Sequence, residues 1–427
     1  MLELRIQSVL SSVVPFAYAS CRYLRRVYGF HFLIAVLLLC FGAWEVVGQN
    51  PRVKWSGLAF RGKAVDRETL FAFVSKPDVT EKLQEALSKV VKQADRQDCS
   101  ILVGKDFEFA AGESLVLSCV IEDEDVLIAK IVSEGGDEYY GQVTIAASLV
   151  LFDFNLEKQI VVSSSIVSSI IEFGRDTGMT SHPTPEQIGK FVSTLLFGSA
   201  DQGVDGSAGE RVDLVSRVKA AVMFIPVKEK GAFDKLQVSL PEIDEQTLRE
   251  MNALDDLQKQ RVRRQISQKI AASLVQEFRL NVLPLTDGDS TLQTMTVSFA
   301  DKTRFAGGGS AEKVFELKPP TVVAKTTITG GTDYIEKKFS NKLQTVKAFG
   351  SQTEINFFDV KQDKLKFKKV WAYGINRKFA PAYAEKQAET AKRLYHRQAI
   401  ENGFQKQFME VVPKEKAWKD LVARLAL

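Results

Sequence analysis

An α+β fold is what this sequence predicts: an N-terminal transmembrane helix followed by two duplicated α/β units, each a mixed or antiparallel sheet with packed helices. Three observations lead there. An uncharged apolar run lies near the amino end, a series of segments recurs in the same order further along, and a flexible-linker composition separates the copies. The 427 residues suffice for two or three domains, each able to bury a core. With 45% hydrophobic and 26% charged residues, the chain is neither disordered nor a polytopic membrane protein. Three histidines leave little material for His-based metal or acid–base chemistry.

The first element is the apolar run. Val27 to Trp44 is eighteen residues without a formal charge. A helix rising ~1.5 Å per residue needs about 20 residues to cross a membrane, and extension to residue 48 supplies them. Arg25 and Arg26 flank one end and Trp44 the other. Residues 1–26 then read as a cytoplasmic tail. In it Leu2, Ile6, Val9, Leu10, Val13 and Val14 recur at the spacing of a short amphipathic helix. A cleaved signal peptide ending near Val46-Val47-Gly48 is the rival, weakened by the long lead before the apolar run. A lipoprotein site at Cys40 is weaker, because bulky Leu39 stands where a small residue is wanted. Lys and Arg occur on both sides of the run, so their balance does not set orientation. Arg25 and Arg26, directly against the helix, favour the amino end inside and the body in the periplasm of a bacterial inner membrane.

Cysteines bear on the compartment. Cys99-Ser-Ile-Leu-Val-Gly104 and Ser114-Leu-Val-Leu-Ser-Cys119 both read as strands. Paired as an antiparallel hairpin with Gly104 opposite Ser114, they place Cys99 opposite Cys119, a candidate disulfide. Such a bond requires an oxidising space. The alternative is two buried free thiols.

The duplication spans the body: a first unit over residues 50–198, a Gly-rich linker over 199–212, and a second unit over 213–427 with a basic C-terminal helical region. Arg52–Phe60 (RVKWSGLAF) matches Arg217–Phe224 (RVKAAVMF), and Asp66–Leu70 matches Asp244–Leu248. A helix follows each. The first spans Thr80 to Ala94 with Leu83, Ala86, Leu87, Val90 and Val91 on one face, opened by Asp78 and Glu81 as a capping box. The second, from about Glu245 to Phe278 and open to a break, turns Leu254, Leu257, Val262, Ile266, Ile270 and Leu274 inward. Strands follow, ending in a hairpin with Phe-Asp before the turn and Lys after it: Phe152-Asp153 with Lys158, then Phe358-Asp359 with Lys364. Each copy closes with a helix. Thr184-Pro185-Glu186-Gln187 opens the first, as N-cap, first-turn Pro and capping Gln. Ala380-Pro381 opens the second.

Each unit thus runs strand, helix, several strands, closing helix. That order resembles the tandem α/β domains of bacterial envelope proteins, the small domain at the amino end of TolB and the CsgG-like proteins. The resemblance covers both units and rests on element order and the Asp-turn-Lys hairpin. It implies an envelope adaptor or assembly factor and carries no binding residue.

Motifs for chemistry are sparse. There is no GxxxxGK[ST], HExxH, CxxC or GxSxG, so no catalytic residue, metal site or cofactor is expected. Ser216/Lys219 and Ser310/Lys313 are Ser-x-x-Lys pairs at chance frequency. His182 and His396 are isolated and read as surface or capping residues. Glu122-Asp-Glu-Asp125 could bind a divalent cation, but between two strand patterns it reads rather as a solvated hairpin turn. From Lys361 onward sixteen Lys and Arg face seven Asp and Glu. There Lys364, Lys366, Lys368 and Lys369 are a candidate site for an anionic partner, or lysines that protect a sheet edge.

These readings predict a non-enzymatic scaffold or adaptor of a secretion, flagellar or polymer-export assembly. Its partners would be other envelope proteins and the lipid bilayer, without nucleic acid, and with self-association possible. A membrane-anchored hydrolase of cell-wall or lipid substrates is one alternative. A cytoplasm-facing tether for anionic membrane or nucleic acid is the other.

Overall fold

The computed structural model describes residues 51–104, 115–133, 136–155, 158–174, 179–198, 213–227, 235–251, 253–285, 294–300, 312–317, 319–339, 342–379 and 384–425. The first sheet is built on β1 (Arg52–Arg61), nine of whose ten residues are buried. Gly57 in this strand has φ +93°, and a Cβ there would sit 2.1 Å from Gln84 Nε2. The space lets Gln84 Oε1 accept the Leu58 N–H at 2.6 Å. Gln84 belongs to α2 (Pro77–Lys92), which follows the short α1 (Arg67–Leu70) and buries Leu83, Leu87 and Val91 as their spacing predicts. The helix begins at Pro77 with no side-chain cap, so the Asp78–Glu81 box is not the device that starts it.

β1 pairs in parallel with both β2 (Ser100–Leu102) and β3 (Leu115–Ser133), one on each edge. The antiparallel hairpin expected to join Cys99 to Cys119 is therefore not formed. β1 runs between the two segments, because parallel strands need crossovers rather than tight turns. Both cysteines are buried free thiols.

From β3 the chain meanders through β4 (Gly136–Asn155) and β5 (Lys158–Phe173), all antiparallel. The helices α3 (Pro185–Phe197) and α4 (Leu214–Val222) then pack with α2 on one face. Thr184 and Gln187 form the predicted capping box of α3. Arg217–Phe224, expected to repeat the strand of Arg52–Phe60, instead lies in and after α4, capped by Asp213 and burying Leu214, Val218 and Val222.

The strand that does resemble β1 in its pairing is β6 (Leu236–Val238). It lies parallel to β10 (Val322–Phe339), from which β11 (Lys342–Asp359) and β12 (Lys364–Phe379) continue antiparallel. The orders β1-β3-β4-β5 and β6-β10-β11-β12 thus share one winding. β7 (Glu242–Ile243) adds a short pairing to β10. Between β7 and β10 come α5 (Glu245–Glu250) and α6 (Asp256–Phe278), and after β12 come α7 (Ala384–Gly403) and α8 (Lys416–Leu425). α6 contacts β5 and α7 contacts β3, while α6 also packs on β6 and α7 on β11 and β12. α6 and α7 therefore fill the layer between the sheets. A helix covered on both sides loses the one-sided apolar stripe, and α6 buries Gln265 through Gln268 and Ile270 through Val275 without interruption. Leu254 and Leu257, expected inside, are 68% and 75% exposed, because α5 ends at Glu250 and α6 starts afresh from an Asp255 cap.

Two strands cross the expected boundary between units. β8 (Thr294–Phe299) and β9 (Glu312–Leu317) pair with each other, β9 with β5 and β8 with β1, closing a ring β1-β3-β4-β5-β9-β8. Its interior holds Phe152, Phe299, Phe315, Met295 and Val297. Arg52–Leu427 is accordingly one compact unit. The expectation of a transmembrane helix leading two separate units is corrected to an α+β fold with mixed sheets, in which no helix among the described residues is long and apolar enough to cross a membrane. The longest of the described helices, α6, carries charged and amide side chains along its first half. The span expected at 27–48, its flanks Arg25, Arg26 and Trp44, the tail 1–26 and the linker 199–212 lie outside the described residues.

Candidate functional site

The acidic run Glu122–Asp125 is not a solvated turn. β3 passes straight through it, and Glu122, Glu124 and Asp125 are 6%, 4% and 3% exposed. A bulge between Ile121 and Asp123 shifts the register against β4. The four neighbouring carboxylates consequently reach different partners. Glu122 pairs with buried Arg61 at 3.1 Å. Glu124 turns toward the loop before α2, where its carboxylate accepts the N–H groups of Phe73 at 3.0 Å and Val74 at 2.8 Å. Asp123 accepts from Gln265 Nε2 of α6 at 3.1 Å. Asp125 bonds Arg397 of α7, which also donates to Glu401 at 2.8 Å and to Gln265 at 3.3 Å. One stretch of strand thereby ties the first sheet to both helices of the middle layer.

The electrostatics follow from burial. Burial and the adjacent Asp125 charge push the Asp123 carboxyl up to about 6. Burial also works to raise Asp125, but Arg397, Arg393 and Arg261 outweigh it and hold that carboxyl below its usual range. Glu401 is depressed in the same way, with Arg397 and Lys269 overcoming its burial. Asp123→Asn is therefore expected to stabilise the protein at neutral pH. A carboxyl whose folded pKa is raised contributes stability below its unfolded value of about 3.9, and that contribution is lost as pH rises through the folded value. The amide copies the protonated form and keeps a partner in Gln265. Thermal melts from pH 4 to 8 should show the variant above wild type at pH 7.5 and level with it near pH 4. No gap at pH 7.5, or a gap that widens on acidification, would sink this account.

The residues singled out from sequence have other roles. Burial pushes the Cys119 thiol up to about 12, helped by the Glu122 charge, and burial also raises Cys99, so both favour the unreactive thiol. Lys366 lies 3.5 Å from Asp359, Lys368 lies 2.9 Å from Glu354, and Lys369 pairs with Glu415. Only Lys364 of the four shows no ion pair among the described residues, at the start of β12, the terminal strand of its sheet. Ser216 bonds Asp213 at 2.7 Å as part of a helix cap. His396, far from being a surface residue, is fully buried, with Nε2 2.8 Å from Glu250. Among the described residues no group of three or more His, Cys, Asp or Glu is placed to hold a metal ion.

The second sheet keeps one face open. Along β10 Val322, Ala324, Thr326 and Ile328 are buried while Lys325, Thr327 and Thr329 are exposed, the alternation of a sheet with one solvated side. On that side two rows cross the strands: Thr329, Gln352 and Ala372, then Gly331, Gly350 and Gly374. Gly350 and Gly374, with Thr329, Gly330, Gln352 and Ala372, line a shallow groove of about 500 Å³. A Cβ on Gly374 would meet nothing closer than the Phe349 carbonyl at 3.7 Å, so packing within the chain does not require glycine there. An empty row of this kind admits a close-approaching backbone or ring.

No family model matches this sequence, and no curated protein matches it. Similar solved structures include a putative neuraminyllactose-binding hemagglutinin homolog from Helicobacter pylori, at 10% identity and TM-score 0.23 over 46% of this chain and 95% of that one. A minor lipoprotein from Acinetobacter baumannii is similar at 9% identity and TM-score 0.21 over 43% and 92%. The hypothetical protein CT253 from Chlamydia trachomatis is similar at 12% identity and TM-score 0.18 over 28% and 72%. Scores so far below 0.5 carry no argument about this chain.

Proposed function

We propose that this chain is a non-enzymatic scaffold that binds other proteins in a cell-envelope assembly. The observation that carries the reading is the open face of the second sheet, flat, mixed in polarity and notched by the glycine row, a surface suited to a macromolecule rather than to an enclosed substrate. The buried charges support it as well: those of β3, α6 and α7 are directed at one another, which fixes the layers behind that face. The envelope setting rests on the element-order resemblance to tandem envelope domains.

Cross-linking in cells followed by purification in mild detergent tests the proposal. The wild-type chain should bring down a defined set of proteins. Gly374→Trp, which fills the groove from an exposed position, should lose that set while melting at the wild-type temperature. A clean, partner-free chain, or an unchanged set with the variant, would overturn the reading.

A further inference from the structure

Three guanidiniums converge where β3 passes between α6 and α7. Arg397 holds Asp125 through Oδ2. The other oxygen, Oδ1, is faced from α6 by Arg261 Nη2 at 3.6 Å and from α7 by Arg393 Nη2 at 3.9 Å. Both separations are too long for a hydrogen bond. Arg261 Nη2 donates to the Glu124 carbonyl at 2.9 Å, and its remaining donors find no acceptor among the described residues. Arg393 has no hydrogen-bond acceptor among the described residues, although its side chain is only 30% exposed. A guanidinium that has shed most of its water without gaining an acceptor is an unfavourable state in isolation. The nearby carboxylates do not relieve it. Asp125 is committed to Arg397 and Asp123 to Gln265, so neither gives Arg393 a hydrogen bond. Arg261, 43% exposed, keeps the mouth of this seam open to solvent.

We propose that Arg261 and Arg393 form a clamp for a phosphate-class oxyanion, either free phosphate or a phosphodiester head group. Both Nη2 atoms lie within 4 Å of one oxygen atom. A single tetrahedral anion at the mouth is thus within reach of both. Two planar forks, less the donor that Arg261 spends on the Glu124 carbonyl, match the several oxygens of a phosphate better than the two of a carboxylate. Bound there, the anion supplies the acceptor that Arg393 lacks. The clamp is separate from the open face of the second sheet and does not depend on the scaffold reading.

The test is calorimetric titration of the full chain in a neutral detergent with three probes: inorganic phosphate, glycerophosphoglycerol and N-acetylglutamate. Saturable binding of a phosphate probe is expected. It should weaken at least tenfold in R393K, which keeps the charge but loses the fork, and disappear in R261Q and R393Q. It should be unchanged in K416Q, a substitution at an exposed position of α8. R261Q leaves the Arg397–Asp125 bond intact, so it serves as the folded test case if R393Q melts early. Preference for inorganic phosphate marks a free anion as the source, and preference for the diester marks a lipid head group. The proposal is overturned if no phosphate probe saturates, if R261Q binds like wild type, or if N-acetylglutamate binds more tightly than both phosphates.

Discussion

Arg397→Met is expected to lower unfolding stability by about 3–5 kcal/mol at pH 7, the range for removing one partner of a buried ion pair. Arg397 and Asp125 are 5% and 4% exposed, so solvent screens the pair little. Without the guanidinium, Asp125 and Glu401 remain buried as charges, since Arg261 and Arg393 stand beyond hydrogen-bond distance of Asp125. The sign of the pH dependence is fixed by the depressed carboxyls. Their contribution is present above the unfolded value and is lost as pH falls through the folded one. In the variant the largest of the causes of that depression is gone, so the two carboxyls take up protons more readily. The gap to wild type should therefore be widest near neutrality and shrink towards pH 4. Urea unfolding at pH 7 and pH 4.5 measures both values. A variant within about 1 kcal/mol of wild type at pH 7 would show that the middle layer is held by its apolar contacts alone.

Phe315→Ala should cost a comparable amount, about 3–5 kcal/mol, and act somewhere else. Phe315 is fully buried inside the six-stranded ring, its centroid 4.0 Å from Phe152 and 5.2 Å from Phe154. Among the described residues the β5–β9 ladder has two pairs, Ile160 with Glu316 and Val161 with Leu317, so the ring depends on this side chain to stay closed there. Hydrogen exchange resolves the location. Amides of β8, β9 and residues 59–61 of β1 should lose protection first, while the β11–β12 ladder keeps its own. Uniform loss across both sheets would mean that the ring does not open independently.

Local signals in the sequence were readable where one segment makes its own case. Thr184 and Gln187 satisfy each other within a single turn, and Leu83, Leu87 and Val91 need only a helical period. The errors arise where a distant partner decides. Arg217–Phe224 shares letters with a strand, yet Asp213 caps it as a helix and Leu214, Val218 and Val222 fall on one helical face. The run Glu122–Asp125 reads as a turn by charge, but it lacks the Gly, Pro or Asn of turns and sits between Cys119-Val-Ile121 and Val126-Leu-Ile128, two halves of one strand. Its carboxylates are tolerable inside because arginines arrive from residues 61, 261 and 397. The opened arginines at 261 and 393 had no signal in sequence, since only folding brings them together. The glycines at 331, 350 and 374 are likewise unremarkable until the strand register aligns them.

The closure of the ring by β8 and β9 also constrains how the protein is made. Ser298 bonds the Phe60 carbonyl across a separation of 238 residues. At roughly 5–20 residues per second on the ribosome, the strand that seals β1 emerges about 10–50 s after β1 itself. For that interval the growing chain carries the edges of β1 and β5 unsealed and the ring's phenylalanines uncovered. A polypeptide stopped before Thr294 stays in that condition permanently. Nascent chains of that length are thus the form of this protein most dependent on chaperones, and the first half is not a module that can be cut out and expected to stay in solution.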